Sequence, residues 1–131
     1  MSGEKNLQVL LKTMKPELNA GDYVFCTTKE TTNIPSSRIL CSFKEHEGIT
    51  IILKKEDADE ANLNYQFIAS WITLTVHSSL EAVGLTAAVA NALSKENISC
   101  NVIAAYYHDH IFIAKQDALR AMQILLNFSR T

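Results

Sequence analysis

Trp71-Ile72-Thr73-Leu74-Thr75-Val76 alternates so that Ile72, Leu74 and Val76 share one face and Trp71, Thr73 and Thr75 the other, the period-two signature of a β-strand. Ser78-Ser79-Leu80-Glu81 follows at once with capping-box spacing, in which a Ser hydroxyl and a Glu carboxylate satisfy the orphaned amides of a helix start. Leu85, Ala88, Val89, Ala92 and Leu93 then fall at i, i+3, i+4, i+7 and i+8, the buried stripe of a helix. A strand passing directly into a helix sets the direction for what lies on either side.

Downstream, Cys100 to Tyr107 reads as a strand, His108-Asp109 as a turn, His110 to Ala114 as a second strand, and Ala118, Ala121, Met122 and Leu125 as the buried face of a last helix. The order is βαββα. Right-handed crossovers place both helices on one face of an antiparallel sheet, giving an α+β, ferredoxin-like fold. Both sides of Cys100–Tyr107 are apolar, so the opposite sheet face also needs a cover. Upstream, Leu7, Leu10, Leu11 and Met14 mark an amphipathic helix closed by Pro16 and Asn19-Ala20-Gly21. A strand at Tyr23–Thr28 follows, then a polar loop. Arg38–Lys44 and Ile49–Leu53 form a hairpin through Glu45-His46-Glu47-Gly48, and Lys54–Asn62 a short helix.

The chain has 131 residues, 47% hydrophobic and 20% charged, which suits one medium domain or two small lobes and excludes a disordered chain. With 12 basic against 14 acidic residues there is no phosphate-attracting field, so no nucleic-acid partner is expected. No apolar run reaches signal-peptide or membrane-spanning length, so no membrane association and a cytoplasmic location are expected. Residues 67–131 carry only four bases and four acids, which points to a surface covered by the first half or by another subunit. The three cysteines, Cys26, Cys41 and Cys100, lie far apart in apolar runs and read as unpaired, inert thiols.

The run from Trp71 through the Ser78–Gly84 loop and the helix to Leu93, with Ile98-Ser99-Cys100-Asn101-Val102 and Tyr106-Tyr107-His108-Asp109-His110, resembles the ACT-domain superfamily. More narrowly it looks like a branch of small bacterial ACT-like proteins of unassigned role, related to the regulatory ACT modules of aspartokinase. The resemblance implies βαββαβ modules, here two tandem ACT-like lobes sharing a core: a divergent lobe over residues 1–66 and a second over 67–131. The stretch after the last helix offers no final strand. The resemblance also implies a small ligand, commonly an amino acid, held by the first strand-to-helix loop and the start of the next strand. These carry over to Ser78, Ser79, Leu80, Glu81, Ala82, Val83 and Gly84, and to Asn101, Val102 and Ile103. The loop departs from the superfamily's frequent Pro-Gly pair, since Val83 precedes Gly84.

Gly84 admits two readings, close approach of a ligand to the backbone or tight packing of the helix. His108 and His110 at i, i+2 could bind a metal or work with Asp109 in acid-base chemistry, but no third ligand has a fixed spacing to them, and a polar hairpin turn accounts for all three. His77 adjoins Ser78 and Ser79 without a nucleophile-elbow glycine pattern. The expected function is a non-enzymatic, cofactor-free and metal-free amino-acid sensor acting as a homodimer or higher homo-oligomer. The alternatives are a ligand-free oligomerisation or protein-interaction module, and a small enzyme using His77, His108 and His110.

Overall fold

In a computed structural model, described for residues 6–30, 33–76 and 84–130, the chain divides into two compact units: residues 1–19 with 70–131, and residues 20–69. Each unit builds its own layer of helix on antiparallel sheet.

The first unit opens with α1 (Leu7–Thr13), capped by the Asn6 carboxamide oxygen, which accepts from the amides of Gln8 and Val9 at 3.0 and 3.3 Å. Pro16 excludes helical backbone at Lys15, so the chain leaves α1 extended and continues as β1 (Lys15–Leu18). β1 lies antiparallel to β5 (Ile68–Thr75) with Lys15 opposite Thr75 and Leu18 opposite Ile72. The missing amide of Pro16 is tolerated because β1 is an edge strand. After β5 come α3 (Leu85–Lys95), β6 (Asn101–Ala104), β7 (Asp109–Ala114) and α4 (Ala118–Leu126). The strand order in this unit is β1-β5-β7-β6. β1, from the N-terminal stretch, thus joins the ladder of this unit at β5. The core gathers Ile72, Leu74 and Val76 with Leu85, Val89 and Leu93 of α3, Ile111 and Ile113 of β7, Ala121 and Leu125 of α4, and Leu10 and Met14 of the α1 segment. Both expected helical stripes thus pack on one sheet face.

The second unit contains β2 (Tyr23–Thr28), β3 (Ile39–Lys44), β4 (Ile49–Lys54) and α2 (Lys55–Glu60). The β3–β4 hairpin closes through the Glu45 amide on the Gly48 carbonyl at 3.0 Å. β4 pairs with β2, and the first residues of β5 complete the ladder, Ala69 opposite Tyr23 and Ile68 opposite Val24. Val24, Cys26, Ile34, Ile51, Leu53 and Ala58 form its core. Beyond β2 the polar segment leads to β3 through a short 3-10 turn at Ser36–Arg38.

Two expectations are corrected. β6 ends at Ala104, not at Tyr107, because the Ala105 amide bonds the His108 carbonyl at 3.1 Å and closes a turn. Tyr106 and Tyr107 thus stand 74% and 72% exposed, ring centroids 4.9 Å apart, and supply no apolar sheet face. The short connection overrides the β-propensity of the aromatic pair. β1 was not expected at all, since Pro16 and Asn19-Ala20-Gly21 read only as a stop. The division at residue 66 follows the sequence, whereas the compact units place residues 1–19 with residues 70–131.

All three cysteines are unpaired: Cys26 is buried and Cys41 and Cys100 half-buried. Burial pushes the Cys26 thiol up and that of Cys100 up to about 11, so both are held protonated at neutral pH.

Candidate functional site

Ser78, Ser79, Leu80, Glu81, Ala82, Val83 and His77 lie outside the described residues, as does the capping box. The described helix α3 starts at Leu85 with Gly84 as its N-cap residue. Gly84 therefore precedes the helix rather than lying within its first turns. Its φ of 97° and ψ of −12° are left-handed, and a Cβ there would meet Leu7 Cδ2 of α1 at 3.2 Å. Backbone conformation and α1 packing together account for the glycine. Gly84→Ala should cost about 1–2 kcal/mol, the penalty of left-handed backbone for an L-residue, read as a lowered urea midpoint at unchanged slope. An unchanged midpoint would mean that the positive φ is not held in solution.

Asn101, Val102 and Ile103 occupy β6, the edge strand beside β7, opposite Phe112, Ile111 and His110 respectively. Asn101 Nδ2 donates to the Phe112 carbonyl at 3.1 Å, fixing the carboxamide on the strand. Asn101 and Ile103 share the sheet face of Phe112 and His110, while Val102 shares that of Ile111. The three residues thus do not present one common face.

The densest polar chemistry lies on the sheet face away from the helices, where sequence reading did not look for it. The Trp71 indole Nε1 donates to His110 Nδ1 at 3.0 Å, and Thr73 Oγ1 is 3.2 Å from the same nitrogen. Asn19 Nδ2 donates to Thr73 Oγ1 at 3.0 Å and reaches the Trp71 carbonyl at 3.2 Å, while the Asn19 amide bonds that carbonyl at 2.9 Å. Trp71 also stacks on Phe112, with centroids 6.3 Å apart and ring planes 16° apart. Thr73 and Phe112 are 7% and 1% exposed. Nothing in the spacing of Asn19, Trp71, Thr73 and His110 announces the cluster; only the β1–β5–β7 pairing assembles it. The one available signal was a strand whose outward face carries Trp and Thr instead of charged residues.

Asp109 and His110 are neighbours in sequence but stand on opposite faces of β7. Asp109 alternates with His110 on β7 and turns to the side of Ile111 and Ile113, where it is buried. Burial raises its carboxyl above the usual range, against the opposing pull of His110 and His108. His110 is lowered, first by burial and then by the charge of His108, with Asp109 opposing. His108 Nδ1 is buried without a hydrogen-bond partner. Among the described residues no three His, Cys, Asp or Glu side chains gather as a metal site, and no helix is long and apolar enough to cross a membrane.

Models of the ACT domain match residues 2–70 and residues 66–127. A Vibrio cholerae protein of unknown function, described as a possible transport protein, is 51% identical, with 95% of this chain and 97% of that one covered and a TM-score of 0.85. An Agrobacterium tumefaciens protein, 15% identical over 88% of this chain and 89% of that one, superposes with a TM-score of 0.71. The fold is shared with Escherichia coli aspartokinase III, solved in complex with aspartate and ADP, at 12% identity and a TM-score of 0.64. The match covers 88% of this chain and 33% of the kinase. It is shared also with the regulatory subunit of Thermus thermophilus aspartate kinase, at 8% identity, 89% and 97% coverage and a TM-score of 0.58. No curated protein matches the sequence. Two ACT-domain models that together span nearly the whole chain, on a ferredoxin-like sheet with its helices on one face, make this protein a member of the ACT-domain family, with two ACT domains in tandem.

Proposed function

We propose that the protein is a non-enzymatic regulatory module that binds a small molecule, an amino acid, and acts as a homodimer in the cytoplasm. The carrying observation is the pair of ACT-domain matches across residues 2–127. The ligand would be held by Ser78, Ser79, Leu80, Glu81, Ala82, Val83 and Gly84 together with Asn101, Val102 and Ile103. Two features support this placement. Gly84 turns the backbone left-handed directly before α3, at a helix start whose amides and dipole favour a carboxylate. Asn101 begins an exposed edge strand. The E. coli aspartokinase III of the same fold was solved with aspartate, which makes an amino acid the first ligand class to try. The two lobes are taken as residues 1–66 and 67–131, with β1 completing the second.

Thermal unfolding against each of the twenty amino acids tests the reading. A ligand at 100 times its Kd should add about 2.7 kcal/mol of stability. A flat response to all twenty would overturn amino-acid binding, and sedimentation at the mass of a single chain would overturn the homodimer. A second reading, a ligand-free interaction module, is favoured by the exposed Tyr106–Tyr107 pair and by Phe43, 70% exposed on β3. It gains if Tyr106→Ser with Tyr107→Ser abolishes self-association while no amino acid shifts the unfolding curve.

A further inference from the structure

Trp71 is the chain's single tryptophan, and its indole N–H, a donor that can never accept, is directed at His110 Nδ1. Nδ1 must therefore present a lone pair, which puts the proton of the neutral ring on Nε2. Thr73 Oγ1 accepts from Asn19 Nδ2, leaving its hydroxyl hydrogen to point at the same Nδ1. Donors thus converge on one lone pair, an arrangement suited to imidazole and unsuited to imidazolium. A proton on Nδ1 would set two N–H groups against each other across 3.0 Å. Thr73 can rotate its hydroxyl and accept instead; the indole cannot.

We propose that His110 is a proton-sensitive latch on Trp71: the neutral ring ties the indole of β5 to β7, and protonation at Nδ1 releases it. The titratable neighbours on its own hairpin are His108 and Asp109. From β5 the ring meets Trp71 and Thr73, and beyond Thr73 stands Asn19 at the end of β1, none of which titrates near neutrality. On β6, Ile103 is opposite His110. Glu17 and Lys15, opposite Thr73 and Thr75 in the β1 ladder, are the charged side chains that β1 turns to this face, and both are exposed. Among the described residues no carboxylate hydrogen-bonds the ring to favour its cationic form, and its burial disfavours that form. The latch is therefore closed at neutral pH and opens as pH falls through a midpoint below the ordinary histidine value of about 6.5.

Because Trp71 is unique, its fluorescence reports the latch directly. Titration of the full chain from pH 8 downward, with far-UV circular dichroism to mark unfolding, should show a one-proton change in emission before any loss of secondary structure. His110→Gln, which keeps an acceptor but cannot titrate, should abolish the change. His46→Gln, His77→Gln and His108→Gln should retain it, and Asp109→Asn should move its midpoint to lower pH by removing a negative charge that favours the cationic ring. The unmodified protein provides a second readout that does not depend on any variant folding. Nitrogen-15 spectra should show His110 protonated on Nε2 at pH 8, and the Trp71 indole N–H resonance should shift with the fluorescence midpoint. An emission change that persists in His110→Gln at the same midpoint, or an indole resonance that ignores the His110 titration, would overturn the latch.

Discussion

Leu10→Ala should lower stability by about 2–5 kcal/mol, the cost of a cavity at a fully buried leucine. Leu10 is 0% exposed and belongs to the same cluster as Leu93, Ile111 and Leu125, residues more than eighty positions away. The assignment of α1 and β1 to the second ACT module therefore carries a large energetic consequence. Urea unfolding would read the loss, and native-state hydrogen exchange would locate it: amides of β7 should exchange faster while those of β4 change less. A loss within about 0.5 kcal/mol, the range of ordinary surface substitutions, would place α1 outside this core.

Phe112→Ala should cost about 3–5 kcal/mol, the range for truncating a buried aromatic. Phe112 is not part of the helix-covered core; it points to the opposite sheet face, is 1% exposed, and carries the Trp71 ring stacked on it. Its removal takes away both the buried area and the surface that sets the indole plane, so Trp71 emission should change together with stability. Phe112→Leu, which keeps most of the apolar volume, should recover a large part of both. Were Phe112→Ala as stable as the parent, that face would be open to water and the ring's burial would not exist in solution. The result also bears on the latch, since the indole would then keep its bond to His110 without Phe112 stacked beneath it.

Much of the fold was legible because local patterns agreed with the global answer. The alternation at Ile72, Leu74 and Val76, the stripe at Leu85, Val89 and Leu93, and the face at Ala118, Ala121 and Leu125 all point into one core, as their spacing requires. The hairpin around Gly48 and the short helix after Lys54 were equally local. β1 was illegible because a four-residue edge strand containing Pro16 and Glu17 has no propensity of its own and exists only through its ladder to β5. The end of β6 was misread because two tyrosines look like strand until the turn at Ala105–His108 is closed by its partner strand. Of the candidate ligand residues, Gly84 and Asn101–Ile103 were named from the family resemblance, and their positions beside α3 and β7 follow from the βαββα order.

Sequence by itself determined the helices, most of the strands, the helix-on-sheet packing and the family, because hydrophobic periodicity is written within a dozen residues. Tertiary structure alone decided that α1 and β1 join the compact unit of residues 70–131 and that Asn19, Trp71, Thr73 and His110 form one hydrogen-bonded seam. The reason is physical: strand pairing joins residues across separations of 39 and 54 positions, and no local preference of any of them specifies which strand will lie alongside.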